Sequence, residues 1–244
     1  MVKGCFVVLE GGEGAGKSTQ AALLARWLRD RGVPCTLARE PGSTGVGEAI
    51  REVVLGRTDL EMPAESELLL ILAARAAFVR EVVRPALARG DVVVADRFDL
   101  STLAYQGYGR GLDLARVRAA MELATGGLRA DLYLVLDVPV AEGAARRRAA
   151  GGSADRIERA GADFLRAVRE GYLELAGAED RVELVSGLGT PDQVRKRILE
   201  CLSRHLPGVF GSAAEEPRAV DGRGLGGDAP ALRCRRDEAG GMAG

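Results

Sequence analysis

The chain has 244 residues, 34 lysines and arginines against 35 acids, and a net charge near −1. That balance argues against nucleic acid or a membrane surface as the main partner, and 47 % apolar residues are enough for a sizeable core. Four scattered cysteines and a single histidine, His205, leave no zinc spacing, no H-E-x-x-H site and no Ser–His–Asp triad. The cysteines read as reduced thiols of a cytoplasmic protein, with Cys5 in the core. The amino terminus lacks a secretory signal, and no run reaches the length of a membrane span.

Taken in order, Cys5–Leu9 is a short apolar run suited to a buried strand. The stretch from Gly11 to Ser18 that follows fits G-x-x-x-x-G-K-[ST], and residues 18–30 are rich in helix formers. Strand, glycine loop and helix is the setting in which that motif cradles phosphate. Glycines let several backbone N–H groups converge on one anion, and the helix start adds unpaired donors. Lys17 supplies a point charge for β- and γ-phosphates, and Ser18 a hydroxyl for Mg²⁺.

Beyond Gly32-Val33-Pro34, Cys35–Ala38 reads as a second strand, Arg39–Thr44 as a loop, and Val46–Leu55 as a helix. After a polar connection, Ala64–Ala88 is expected as one long helix shortened or kinked at Pro85, with Leu68, Leu69, Leu72, Ala76 and Val79 on its apolar face. Asp91–Asp96 is a buried strand ending in an acid, a helix starts near Leu100, and Gly107–Gly111 is a glycine-rich loop. Helices at 113–124, 140–149, 158–177 and Pro191–His205 alternate with strands Leu132–Asp137 and Val182–Val185. This alternation predicts an α/β fold: a five-stranded parallel sheet between two helical layers, its ligand at the carboxyl ends of the strands. Residues 1–206 form the expected domain, and 207–244, rich in Gly, Ala, Pro and charge, read as a disordered tail.

Several motifs, in order, resemble the bacterial-type thymidylate kinase family over roughly residues 3–205. They are the Glu10–Thr19 loop, Arg39-Glu40-Pro41-Gly42, Ala73-Ala74-Arg75, Asp96–Thr102, Ala104-Tyr105-Gln106-Gly107, Gly109-Arg110-Gly111 and Asp155-Arg156-Ile157-Glu158. The resemblance implies a P-loop kinase that moves the γ-phosphoryl group of ATP, with Mg²⁺, onto the 5′-phosphate of dTMP. The acceptor phosphate has a second pKa near 6, so its oxygen is a nucleophile at neutral pH without a base.

Under this resemblance Gly11, Gly12, Glu13, Gly14, Ala15, Gly16, Lys17, Ser18 and Thr19 would bind ATP, and Ser18 and Asp96 the metal. Arg75 and Arg97 would hold the acceptor phosphate as guanidinium forks, and Arg39 and Pro41 would contact the substrate. Glu13 would reach the 3′-hydroxyl, Tyr105 would pack on the deoxyribose, and Gln106, Ser101 and Thr102 would face the base. Ile71 stands where many relatives have a phenylalanine stacked on thymine. Arg146, Arg147 and Arg148 belong to a lid at about 140–156 that serves the transferring phosphoryl group with Lys17 and Arg97. Consecutive helix positions diverge, so one or two of the three arginines at most face the phosphates. A homodimer through the helices near 64–89 is implied. The alternatives are a related kinase acting on dUMP or a deoxynucleoside, and a regulatory module that binds ATP without transferring phosphate.

Overall fold

The computed structural model describes residues 4–151 and 156–211, and of Glu158 the backbone alone; Gly152, Ser153, Asp155 and the tail from 212 on, Cys234 included, lie outside them. The elements run β1 (Cys5–Gly11), α1 (Lys17–Arg29), β2 (Cys35–Arg39), α2 (Gly45–Arg51), α3 (Ala64–Phe78), α4 (Arg84–Arg89), β3 (Val92–Asp96), α5 (Asp99–Thr102), α6 (Leu114–Thr125), β4 (Leu132–Asp137), α7 (Val140–Ala149), α8 (Ala162–Ala178), β5 (Val182–Ser186), α9 (Pro191–His205) and α10 (Pro207–Phe210).

All five strands pair in parallel, in the order β2-β3-β1-β4-β5. Alternate side chains supply two cores. Phe6, Val8, Val93, Ala95, Tyr133 and Val135 face one helical layer. Val7, Leu9, Val92, Val94, Leu132, Leu134 and Leu136 face the other. A sheet covered on both sides needs apolar residues at every strand position, which is why β1, β3 and β4 read as unbroken hydrophobic runs. Strands β2 and β3 lie on one side of the central β1 and β4 and β5 on the other, so the crevice beyond its carboxyl end lies at a topological switch point. Register brings Asp96 level with Leu9 on one side and Arg39 on the other, setting the loops after β1, β2 and β3 next to each other.

Four expectations are corrected. The stretch 64–88 is three segments, with a π-helical turn at Val79–Val83 between α3 and α4. Pro85 lies in the first turn of α4, where its missing N–H breaks no bond, and the wider turn before it makes room for the ring. Leu69 and Ala76 are exposed rather than on the buried face of α3, while Glu67 is buried in place of an apolar residue. Gly107 and Gly109 end a π-helical segment, Leu103–Gly109, instead of opening a loop. The helix expected from 158 starts at Ala162, after a 3₁₀ turn at Glu158–Ala160 and Gly161 at φ 97°.

The described residues also carry a helix beyond 206. In α10, Phe210 is fully buried and stacks on Trp27 at 5.9 Å between ring centroids. Composition hid it, because two apolar residues between glycines are too few to show a period. No helix of the described residues is long and apolar enough to cross a membrane.

Candidate active site

The loop between β1 and α1 is built for an anion. Gly14 and Gly16 sit at φ 70° and 94°, backbone that a side chain disfavours. Gly16 caps α1 with no side-chain hydrogen bond, which leaves the first N–H groups of the helix for a ligand. Ala15 is buried, and Thr19 is exposed in the first turn of α1. Helix α7 lies directly on the loop: a Cβ on Gly14 would come within 2.2 Å of Gly143 O, and one on Gly143 within 2.2 Å of Glu13 O.

Lys17 is buried and donates to Gly12 O at 2.7 Å. Burial and the neighbouring Arg97 charge pull its ammonium down to about 8, against Glu13, Asp96 and Glu10. Ser18 Oγ donates to Asp96 Oδ2 at 2.5 Å, so a hydroxyl and a strand-end carboxylate converge where the loop meets the sheet.

Behind the loop, Glu10 of β1 is a fully buried acid. Its carboxylate accepts from Phe98 N (2.8 Å), Ser101 N (3.2 Å), Ser101 Oγ (2.6 Å) and Tyr172 OH (2.9 Å). These bonds hold the turn that carries Arg97, whose φ of 75° is unusual for a residue with a Cβ. The strain aims the guanidinium forward. It donates to Gly11 O (3.2 Å), Ser101 Oγ (3.2 Å), Tyr105 OH (3.0 Å) and closely to Glu13 Oε1. Burial raises the Glu13 carboxyl, but Arg97, Lys17, a hydrogen bond from Tyr105 and Arg147 overcome it and hold it at about 2.

These groups line one cleft, about 990 Å³ of space open to solvent. Lys17, Ser18, Asp96, Glu13 and Arg147 are among its lining residues. Arg39, Glu40, Pro41, Arg51 and Arg97 also line it, as do Ser101, Tyr105, Gln106, Ile71, Arg75, Leu55 and Ile157. Most of the residues expected from the motifs are therefore brought together.

Four are not placed as expected. Thr102 is fully buried outside the cleft lining, and its hydroxyl accepts from Arg75 Nη1 at 2.7 Å instead of facing a ligand. Arg75 itself is 1 % exposed. It is paired with Glu40 (2.8 Å) and also donates to Phe98 O, so three of its five N–H donors are used. Arg146 turns away to Glu142 (2.9 Å) and Gly187 O (3.0 Å), and Arg148 is exposed. Of the three consecutive arginines only Arg147 lines the cleft, 3.7 Å from Glu13.

Two further residues were given no role from the sequence. Arg51, near the end of α2, enters the cleft and donates to Pro41 O at 3.0 Å. Burial and the nearby charges of Arg39 and Arg97 lower its pKa, the sign of a cation held among cations. Glu40 was visible only as one letter of a motif; burial lifts its carboxyl to about 7 against the pull of Arg75, and its Oε1 has no hydrogen-bond partner among the described residues.

A phosphate-binding loop with its lysine and a cluster of guanidinium groups line one cleft at the carboxyl end of a parallel sheet. That arrangement defines a P-loop phosphotransferase. The family model described as thymidylate kinase matches residues 9–198. Thymidylate kinase of Thermosynechococcus vestitus is 46 % identical over 215 residues, covering 83 % of this chain and 88 % of its own. That of Desulforudis audaxviator is 53 % identical over 183 residues, 73 % of this chain and 80 % of its own. The crystal structure of thymidylate kinase from Ehrlichia chaffeensis superposes with a TM-score of 0.67 at 27 % identity, over 82 % of this chain and 98 % of that one. The chain belongs to the thymidylate kinase family.

Proposed function

We propose that this enzyme phosphorylates dTMP to dTDP, taking the γ-phosphoryl group of ATP in line across the cleft with Mg²⁺ bound. The observation that carries the reading is one cleft lined both by Lys17 and Ser18 of the phosphate loop and by Arg97, Tyr105 and Gln106. The loop backbone, the start of α1 and Lys17 hold the donor phosphates. Ser18 and Asp96 fit a magnesium ion: both are hard oxygen donors, already within 2.5 Å of each other, and phosphate and water would complete the shell. The ion would neutralise charge developing on the transferring group.

Arg97, with Arg39 and Arg51, grips the acceptor phosphate. Arg75 belongs at the base end instead. Its charge is matched by Glu40, and two of its N–H groups remain for a carbonyl oxygen. Ile71 packs on the base, the Tyr105 ring packs on the sugar, and Glu13 receives the 3′-hydroxyl. No general base is needed, because the acceptor oxygen is ionised at neutral pH. Arg147 supplies the positive charge from the lid helix. The enzyme works in the cytoplasm, where Cys5, Cys35 and Cys201 stay reduced. A second copy docks on α3 and its packed neighbour α6, which leave Leu69 and Leu123 64 % and 88 % exposed; light scattering checks the dimer. A coupled assay with ATP and Mg²⁺ across dTMP, dUMP and thymidine tests the reaction. Turnover highest on dTMP is expected, and a preference for thymidine or binding without turnover refutes it.

A further inference from the structure

Glu67, in the first turn of α3, is fully buried yet does not line the cleft. Its Oε1 accepts from Gln106 Nε2 at 2.7 Å and from Arg110 Nε at 3.3 Å. Its Oε2 accepts from Arg110 Nη2 at 3.0 Å and, closely, from Arg156 Nη2. Arg156 is tied in turn to Val54 O at 2.8 Å, and Arg110 stacks on the Phe164 ring at 4.5 Å. Two guanidinium groups therefore fix the carboxylate in place. Burial opposes its charge, but the bonds from Arg110, Gln106 and Arg156 hold its pKa below the ordinary carboxylate range.

An ionised carboxylate accepts hydrogen bonds and donates none. The side of the Gln106 amide turned toward Glu67 must then be the NH₂, and the carbonyl oxygen is left for the cleft that Gln106 lines. A glutamine without such a partner is free to turn its amide over.

We propose that Glu67 is the positioning residue that sets the hydrogen-bond polarity of Gln106, so that the cleft takes a pyrimidine carrying an N3–H and rejects one whose N3 is a bare acceptor. The inference rests on Gln106 facing the base. A uracil-type ring donates its N3–H to the fixed carbonyl oxygen. A cytosine-type ring would set lone pair against lone pair and leave both buried acceptors unpaired, which is how a polar site discriminates most strongly. Selectivity for the base would then be controlled from a layer that never touches it.

The test is the ratio of kcat/KM for dTMP to that for 5-methyl-dCMP, two substrates of the same shape that differ in N3 and its neighbouring exocyclic group. Glu67→Gln leaves Gln106 able to adopt either orientation. The ratio is expected to contract by about tenfold or more, roughly the cost of one lost buried hydrogen bond. Glu67→Asp, which keeps the charge for Arg110 and Arg156 but withdraws it by one methylene, serves if the first variant does not fold; a contraction of at least about threefold is expected. A role confined to stability would lower both substrates alike, so an unchanged ratio in a variant that still melts cooperatively overturns the proposal. Gln106→Ala separates the two layers of argument. If it too leaves the ratio unchanged, Gln106 does not read the base and the underlying site reading fails. If it moves the ratio while the Glu67 variants do not, only the role of Glu67 is lost.

Discussion

Lys17 is held near the point of losing its charge, and the consequence can be measured. With its pKa at about 8, the lysine is half charged at pH 8 and about one tenth charged at pH 9. An unperturbed lysine would still be roughly 97 % charged there. Because kcat/KM reports the free enzyme, its value for ATP should fall about tenfold between pH 7 and pH 9, with saturating dTMP and Mg²⁺. ATP binding raises the lysine pKa again, so the alkaline limb of kcat should lie higher than that of kcat/KM. Calorimetry near pH 8 in buffers of different ionisation enthalpy should show proton uptake on ATP binding.

Stability moves the other way. The folded pKa lies below the unfolded value, so between about 8 and 10.5 the unfolded chain binds more protons, and this group favours the folded state as pH rises. A falling kcat/KM without a matching loss of fold is thus the signature. Lys17→Arg, charged throughout, should remove the limb from whatever activity it retains. A flat kcat/KM to pH 9.5 would refute the assignment of a desolvated lysine beside Arg97.

Three further outcomes follow from the packing. Phe210→Ala should cost about 3 kcal/mol and lower Tm by on the order of 10 °C, since it empties a fully buried ring site against Trp27; thermal melting checks it, and truncation from residue 208 should do the same. Gly143→Ala gains about 1 kcal/mol of helix propensity, but its methyl would meet Glu13 O at 2.2 Å. The phosphate loop must move, and kcat/KM for ATP should drop at least about tenfold; a near-normal rate would show that α7 can retreat without cost. Arg147→Ala should reduce kcat by about tenfold or more while Arg148→Ala leaves it nearly unchanged, because only Arg147 lines the cleft; steady-state rates of the two variants decide, and equal losses would mean that α7 presents its arginines otherwise.

Much of this architecture was legible without coordinates. Strands buried on both faces need unbroken apolar runs, so β1, β3 and β4 were visible from composition alone. The glycine loop was visible because its chemistry needs fixed residues at fixed spacing along the chain. Local rules also located the breaks at Gly90 and Pro191, which supply a left-handed turn and a helix start.

Contacts between distant segments left no such trace. That Thr102 serves Arg75 and not a ligand, that Arg51 enters the cleft, and that Arg146 leaves it all depend on the angle at which one helix meets another. The π-helical turns at Val79–Val83 and Leu103–Gly109 rotate every side chain beyond them, and no periodicity announces them. Glu67 shows the limit most plainly. As a charged residue in an apolar helix it reads as solvent-facing, and only Gln106 and Arg110 from one distant segment and Arg156 from another make it stable to bury. The order of residues along the chain was enough to name the groups available for phosphate chemistry and the sheet that carries them. Tertiary structure alone decided which of those groups face the substrate, because the pairing of a buried charge is settled by neighbours in space and not along the chain.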